Sequence, residues 1–258
     1  MLIPRVGFNW LPPNSRRVGS SSTNASVTYT ASGAVTKTGT KKFGTASMYV
    51  ATSNDEIYTA NNTTYMNYGT TDFTIEWWMY FDSLSGHSSS CDLLANDVAG
   101  GLGIRIAQAF NTNGLSSANP KYINVFARQQ ADLDYWTLTT NWAASQWYFC
   151  VLQRKQSVIS FWLDGVLQAR TTGGGGTAAT RNFASASGTN IKIGTADGGN
   201  GVGPAYIDEV CFSNTYRYEY VTRPIPVPTA AFTLDSYTTQ LLHMDGVNDG
   251  TTFTNETS

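Results

Sequence analysis

Phe73-Thr-Ile-Glu-Trp-Trp-Met-Tyr-Phe81 is the stretch that decides the fold. Side chains on a strand point alternately to its two faces, so Phe73, Ile75, Trp77, Met79 and Phe81 share one face and Thr74, Glu76, Trp78 and Tyr80 the other. The first set is a core face. The second is polar and aromatic, the surface of a sheet that meets water or a ligand. Outward from this strand, Trp147–Gln153 and Val158–Leu163 are further apolar runs joined by Arg154-Lys155-Gln156-Ser157, a predicted hairpin. Asp164-Gly165 then leads into Val166–Ala169, and Asp-Gly between apolar runs signals a second hairpin because both turn residues must take φ > 0. Ile191–Ile193 and Ala205–Phe212 are the next strands. From Ala25 onward, strand signals alternate with Gly, Asn, Asp and Ser clusters, the rhythm of an antiparallel β-sandwich and not of βαβ units.

The ends read differently. Residues 1–22 hold Pro12-Pro13, Arg16-Arg17 and Ser20-Ser21-Ser22 and no periodicity beyond the apolar Phe8, Trp10 and Leu11, which predicts an extended arm. Residues 23–222 form the sandwich. Residues 223–258 are a Pro-rich spacer, within Val221-Thr-Arg-Pro-Ile-Pro-Val-Pro228, followed by a terminal strand. A stiff spacer of this kind favours reaching outward.

Composition excludes several classes. The 258 residues carry a net charge of −2, so there is no basic field for nucleic acid and no polybasic membrane signal. The start lacks a continuous apolar segment of secretory length, so the chain is expected to be made in the host cytoplasm and not secreted. Cys91, Cys150 and Cys211 are odd in number without C-x-x-C spacing and read as buried free thiols. Gly173 to Gly176 is followed by no Lys-Ser/Thr and is a loop, not a phosphate cradle.

Lys42-Phe-Gly-Thr-Ala-Ser47, Asp72-Phe-Thr-Ile-Glu-Trp-Trp78, Trp147-Tyr148, Leu163-Asp-Gly165 and Ile207-Asp-Glu-Val210, in that order, resemble the laminin-G-like, concanavalin A-like jelly rolls, above all those of phage and bacterial surface proteins. The resemblance covers residues 25 to 222 and implies an all-β jelly roll without fixing a function. In that family a segment resembling Leu241 to Ser258 precedes the one matching Ala25 to Ser47; here it comes last. The displaced strand must pair in cis, completing its own sheet, or in trans, completing a neighbour's, since an unpaired edge invites aggregation.

Jelly rolls of this shape include endoglycanases with a Glu-x-Asp-x-x-Glu strand, whose two carboxylates serve as nucleophile and acid/base. No such strand exists here. The nearest substitute is Glu76 with Glu209, which alternation places on one face with Ile207 and Cys211. His87 and His243 are the only imidazoles, and neither has a nucleophile elbow or a metal-ligand partner at suitable spacing. The family's calcium sites point to Asn96, Asp97, Asp197, Asn200 and Asp208 as candidate oxygen ligands. Such residues in glycine loops more often form turns, so no cofactor is expected. Trp78 and Tyr80 beside Glu76, with Glu209, hold the ingredients of a glycan platform unless a loop, the tail or a neighbouring subunit covers them.

The expectation is a single-domain, non-enzymatic β-sandwich located in a virion, decorating a capsid or contributing to a tail fibre or tail tip. Phe8, Trp10 and Leu11 would dock on other capsid or tail proteins. Leu241, Leu242, His243 and Met244 would lock a homo-oligomer by strand addition, closing into a ring such as a trimer. The second expectation is a module that binds host surface polysaccharide, and the third an endoglycanase.

Overall fold

The computed structural model describes residues 27–59, 68–84, 91–96, 102–107, 122–127, 132–137, 142–171, 183, 190–195, 201–219 and 222–256. These form strands and no helix, arranged as two antiparallel sheets. With strands numbered in chain order, the eight-stranded sheet runs β12 (Val166–Leu167), β11 (Val158–Leu163), β10 (Trp147–Lys155), β5 (Phe73–Phe81), β15 (Ala205–Ser213), β3 (Ser47–Val50), β2 (Val35–Lys37). β3 pairs with the first half of β15, and β16 (Thr238–Leu242) with its second half. The nine-stranded sheet runs β13 (Ala169–Thr171), β9 (Asp132–Thr137), β8 (Tyr122–Ala127), β7 (Leu102–Ala107), β6 (Cys91–Asn96), β14 (Ile191–Ile193), β4 (Glu56–Thr59), β1 (Thr28–Ser32), β17 (Thr252–Thr254).

Phe73, Ile75, Trp77, Met79 and Phe81 are buried in the main core, as their alternation requires, with Met48, Cys150, Leu152, Phe161, Ile193 and Ile207. Each such side chain contributes about 1.5–3 kcal/mol when removed from water. The hairpins follow their turn chemistry. Gln156 and Ser157 close β10–β11 with φ of 47° and 70°, and Asp164 and Gly165 close β11–β12 with 49° and 78°. The strand read over Val166–Ala169 breaks at Gln168, so that β12 stays in one sheet and β13 joins the other.

Alternation fails inside β15. The register of β15 against β5 shifts between Asp208 and Cys211, and Glu209 takes a φ of 53°, a β-bulge. Ile207 therefore faces the main core while Cys211 faces outward, not the shared face that strict alternation gives.

The central part of the outer face of the eight-stranded sheet is covered. Trp78, Phe149, Val151, Trp162, Cys211 and Leu241 meet Tyr218, Ile225 and Phe232 in a second buried cluster. The Pro-rich spacer lies across the sheet instead of reaching outward: Trp162 Nε1 donates to Arg223 O at 3.0 Å and Ile225 N to Gly165 O at 2.8 Å. A buried ion pair, Arg217 with Asp235, pins this layer, and Arg217 also donates to Ser213 Oγ at 2.7 Å and Thr238 Oγ1 at 2.8 Å.

The terminal segment pairs within its own chain. β16 adds to β15 in one sheet and β17 to β1 in the other, Thr28 opposite Thr254 and Thr30 opposite Thr252. The edge of β2 is also closed, by Thr36 N to Gly250 O at 2.8 Å and Asp249 N to Thr36 O at 2.7 Å.

Candidate functional site

The covering layer ends one tier short of the sheet's end, and what it leaves is aromatic. Tyr206 of β15 lies opposite Tyr49 of β3 and opposite Tyr80 of β5, and Tyr80 lies opposite Trp147 of β10. Residues in register share a face, so these four rings stand side by side across four strands. Their centroids are 4.6 Å apart for Tyr49–Tyr206, 5.5 Å for Tyr80–Tyr206 and 5.5 Å for Tyr80–Trp147. Val35 of β2, opposite Tyr49, extends the row to the sheet edge. All five side chains are half-buried. Three interstrand steps give the four rings a span of roughly 14 Å.

The rim of the row is polar. Lys37 pairs with Asp249 at the β2 end, and Asp82 is exposed just beyond Phe81. The Tyr49 phenol is pushed up by burial first, then by the negative charge of Asp82, with Tyr206 and Asp55 adding to it. Ring faces, phenolic hydroxyls and charged neighbours together suit a ligand with both apolar and hydroxylated surfaces.

The next tier in is closed. Trp78 is only 2% exposed, with Phe43 edge-on at 5.9 Å, Phe149 at 5.2 Å and Lys42 Nζ 3.9 Å from its ring centre. Glu76 is fully buried and accepts a hydrogen bond from Tyr218 OH at 2.7 Å. Glu209, also fully buried, accepts Phe232 N at 2.7 Å on one oxygen and contacts His243 Nδ1 at 2.7 Å with the other. Of the glycan candidates Glu76, Trp78, Tyr80 and Glu209, only Tyr80 is therefore on accessible surface. The other three face the predicted direction, but Tyr218, Ile225, Phe232, Lys42 and Phe43 lie over them. Both candidate catalytic carboxylates are occupied by donors of the same chain.

Asp208 does not turn toward a rim loop. It is buried and accepts Lys42 N at 2.8 Å and Phe43 N at 3.2 Å, and burial pushes its carboxyl up to about 8 against those two hydrogen bonds. Asn96 ends β6, while Asp97, Asp197 and Asn200 lie outside the described residues. Among the described residues no group of three or more His, Cys, Asp or Glu is placed to hold a metal ion. Phe8, Trp10, Leu11 and His87 also lie outside the described residues.

The tail residues read as assembly contacts are interior to their own chain: Leu241 in the second cluster, Leu242 and Met244 in the main core. His243 bridges Glu209 and Glu256, the latter 3.4 Å from Nε2. Its hydrogen bond to Glu209 outweighs burial and, with the charges of Glu209, Glu256 and Asp245, raises it to about 9. The pocket beside it, lined by Met244, Asp245, Phe253 and Thr254, has a volume of about 80 Å³. That is well under the roughly 300–1,000 Å³ of ligand pockets.

Tyr49, Tyr206 and Trp147 belong to three different strands, and nothing in any one of those segments singles them out. Only the pairing register brings them beside Tyr80.

Residues 51–220, more than half of the chain, match the family model described as the concanavalin A-like lectin/glucanases superfamily. No curated protein matches the sequence. Among solved structures, the binding domain of botulinum neurotoxin serotype G is similar at 8% identity with a TM-score of 0.51, over 74% of this chain and 43% of that one. Domain 4 of AbnA, a GH43 extracellular arabinanase from Geobacillus stearothermophilus, solved with arabinotriose, is similar at 12% identity and TM-score 0.44, over 75% of this chain and 78% of that one. A Bacteroides ovatus protein proposed to bind carbohydrate gives 14% identity and TM-score 0.48, over 90% and 58%. The match spans less than two thirds of the neurotoxin and Bacteroides chains.

Proposed function

The chain belongs to the concanavalin A-like lectin/glucanases superfamily, and from that premise we propose that it is a non-hydrolytic carbohydrate-binding module whose site is the row Tyr49, Tyr206, Tyr80 and Trp147. The observation that carries this reading is the row itself, four adjacent half-buried aromatics with a polar rim, next to the part of the same sheet face that Tyr218, Ile225 and Phe232 cover. Sugars present apolar C–H faces and a girdle of hydroxyls, and aromatic faces with nearby polar groups match both.

The absence of hydrolysis is supported by the state of the two carboxylates. A retaining or inverting glycosidase needs both carboxyl groups open to the scissile bond. Glu76 and Glu209 instead hold the covering layer through Tyr218, Phe232 and His243. A virion subunit that displays such a module is compatible with the same site, since recognition of a host surface glycan requires an exposed face; that setting draws its support from the phage-like motifs alone.

The test is a glycan array probed with the full chain and with Trp147→Ala and Tyr80→Ala. Binding by the full chain that both variants lose, with their thermal midpoints retained, is the expected result. Reducing-sugar release that Glu76→Gln abolishes would contradict the non-hydrolytic reading.

A further inference from the structure

Resting on the carbohydrate-binding reading above, we infer that the ligand is a single soluble, uncharged glycan chain laid across the strands from Trp147 to Tyr49. A crystalline polysaccharide face, an acidic polysaccharide and a lone sugar ring all fit less well.

The ring planes argue for a single chain. Neighbouring rings are inclined at 35° for Tyr49–Tyr206, 84° for Tyr80–Tyr206 and 53° for Tyr80–Trp147, so the row has no common plane. A flat crystalline surface needs coplanar partners to gain contact along its length. A single chain whose successive rings turn can meet inclined faces and edges one after another.

The charges argue for neutrality. Two carboxylates, Asp82 and Asp55, act on Tyr49 against one cation, Lys37, which is itself paired with Asp249. Among the described residues, an anionic sugar over the row would meet two carboxylates and one cation whose charge Asp249 already offsets.

The span argues for length. Roughly 14 Å across four strands exceeds one sugar ring. At the Trp147 end β10 runs on past β11, which pairs with it only from Cys150 onward. At the other end the row stops at Val35 on the edge strand β2.

The experiment titrates the full-length chain calorimetrically with cello-, manno-, xylo- and malto-oligosaccharides of increasing length, beside polygalacturonate, a sialylated oligosaccharide and a microcrystalline cellulose pull-down. At least one neutral series should bind, with affinity rising about tenfold or more from disaccharide to tetrasaccharide and levelling beyond it. That affinity should hold between about 50 and 500 mM NaCl, where an ionic contact would be screened. Trp147→Ala and Tyr206→Ala should weaken the long chains most. Binding confined to the acidic glycans and lost in salt, binding only to microcrystalline cellulose, or a monosaccharide that binds as tightly as the tetrasaccharide would overturn this ligand class while leaving carbohydrate binding standing. No binding to any glycan of this panel or of a broad array would remove the reading and the inference together.

Discussion

Tyr80 and Trp78 sit two residues apart on the same face of one strand, yet their substitutions have different expected consequences. Trp78 is in the closed second cluster, so Trp78→Ala opens a cavity and destabilises the fold by about 3–5 kcal/mol. Tyr80 and Trp147 are half-buried, and truncating either should weaken glycan binding roughly tenfold, as removal of an aromatic anchor does elsewhere, with a much smaller change in thermal midpoint. Calorimetric titration beside thermal melts separates the two cases. His243 makes a pH prediction of definite sign. Its folded pKa, about 9, lies above the usual histidine value of 6.5, so its contribution to stability is complete below pH 6.5 and is lost as pH rises to 9. Asp208, raised from 3.8 to about 8, acts in the same direction over the lower window. Asp235 acts oppositely: burial alone would raise it, but the hydrogen bond and charge of Arg217 hold it below the usual value, so its contribution is lost as pH falls through the folded value. Thermal midpoints across pH should therefore fall toward pH 9, and His243→Asn should flatten that limb above pH 6.5 without altering the acid limb.

At the scale of elements, the layer over the eight-stranded sheet is held by few polar contacts with large individual consequences. Asp235→Ala leaves Arg217 buried without its carboxylate and should cost about 3–5 kcal/mol, read by denaturant unfolding. Tyr218→Phe removes only the hydroxyl whose hydrogen bond Glu76 accepts, a loss of about 1–3 kcal/mol for a buried group left without that partner. The strands themselves were legible. Phe73–Phe81 carries its alternation in plain view, and Gln156-Ser157 and Asp164-Gly165 carry their turns. The bulge at Glu209 was not, because an inserted residue changes no composition and the pattern Ile207-Asp-Glu-Val-Cys211 reads equally well as unbroken alternation. The covering layer was hidden for a related reason. Local sequence gives the stiffness of Pro224-Ile-Pro-Val-Pro228 but not the surface it rests on, and a strand with Trp78 and Glu76 outward looks the same whether water or Ile225 and Tyr218 lie above it. Tyr80 was legible as an outward aromatic, whereas the row it belongs to depends on three cross-strand registers that no single segment encodes.

Across the whole molecule, the C-terminal segment is a clamp. β16 completes one sheet and β17 the other, with His243, Glu209 and Glu256 between them, so both layers of the sandwich depend on residues that the sequence places last. A chain ending at Pro228 should lose thermal stability, and light scattering on the full chain and the shortened one should show no loss of an oligomer on truncation, because the tail's pairing is internal. A defined oligomer that falls to monomer on truncation would instead mean exchange of the tail between subunits. Which part of the sheet meets the ligand can be read from the indole N–H resonances in a nitrogen-15 NMR titration with the tightest-binding soluble oligosaccharide. A ligand on the aromatic row should shift the Trp147 indole with saturation while those of Trp78 and Trp162, beneath the covering layer, stay in place. Movement of Trp78 and Trp162 with Trp147 unchanged would place the ligand in the covered cleft and contradict the proposed site.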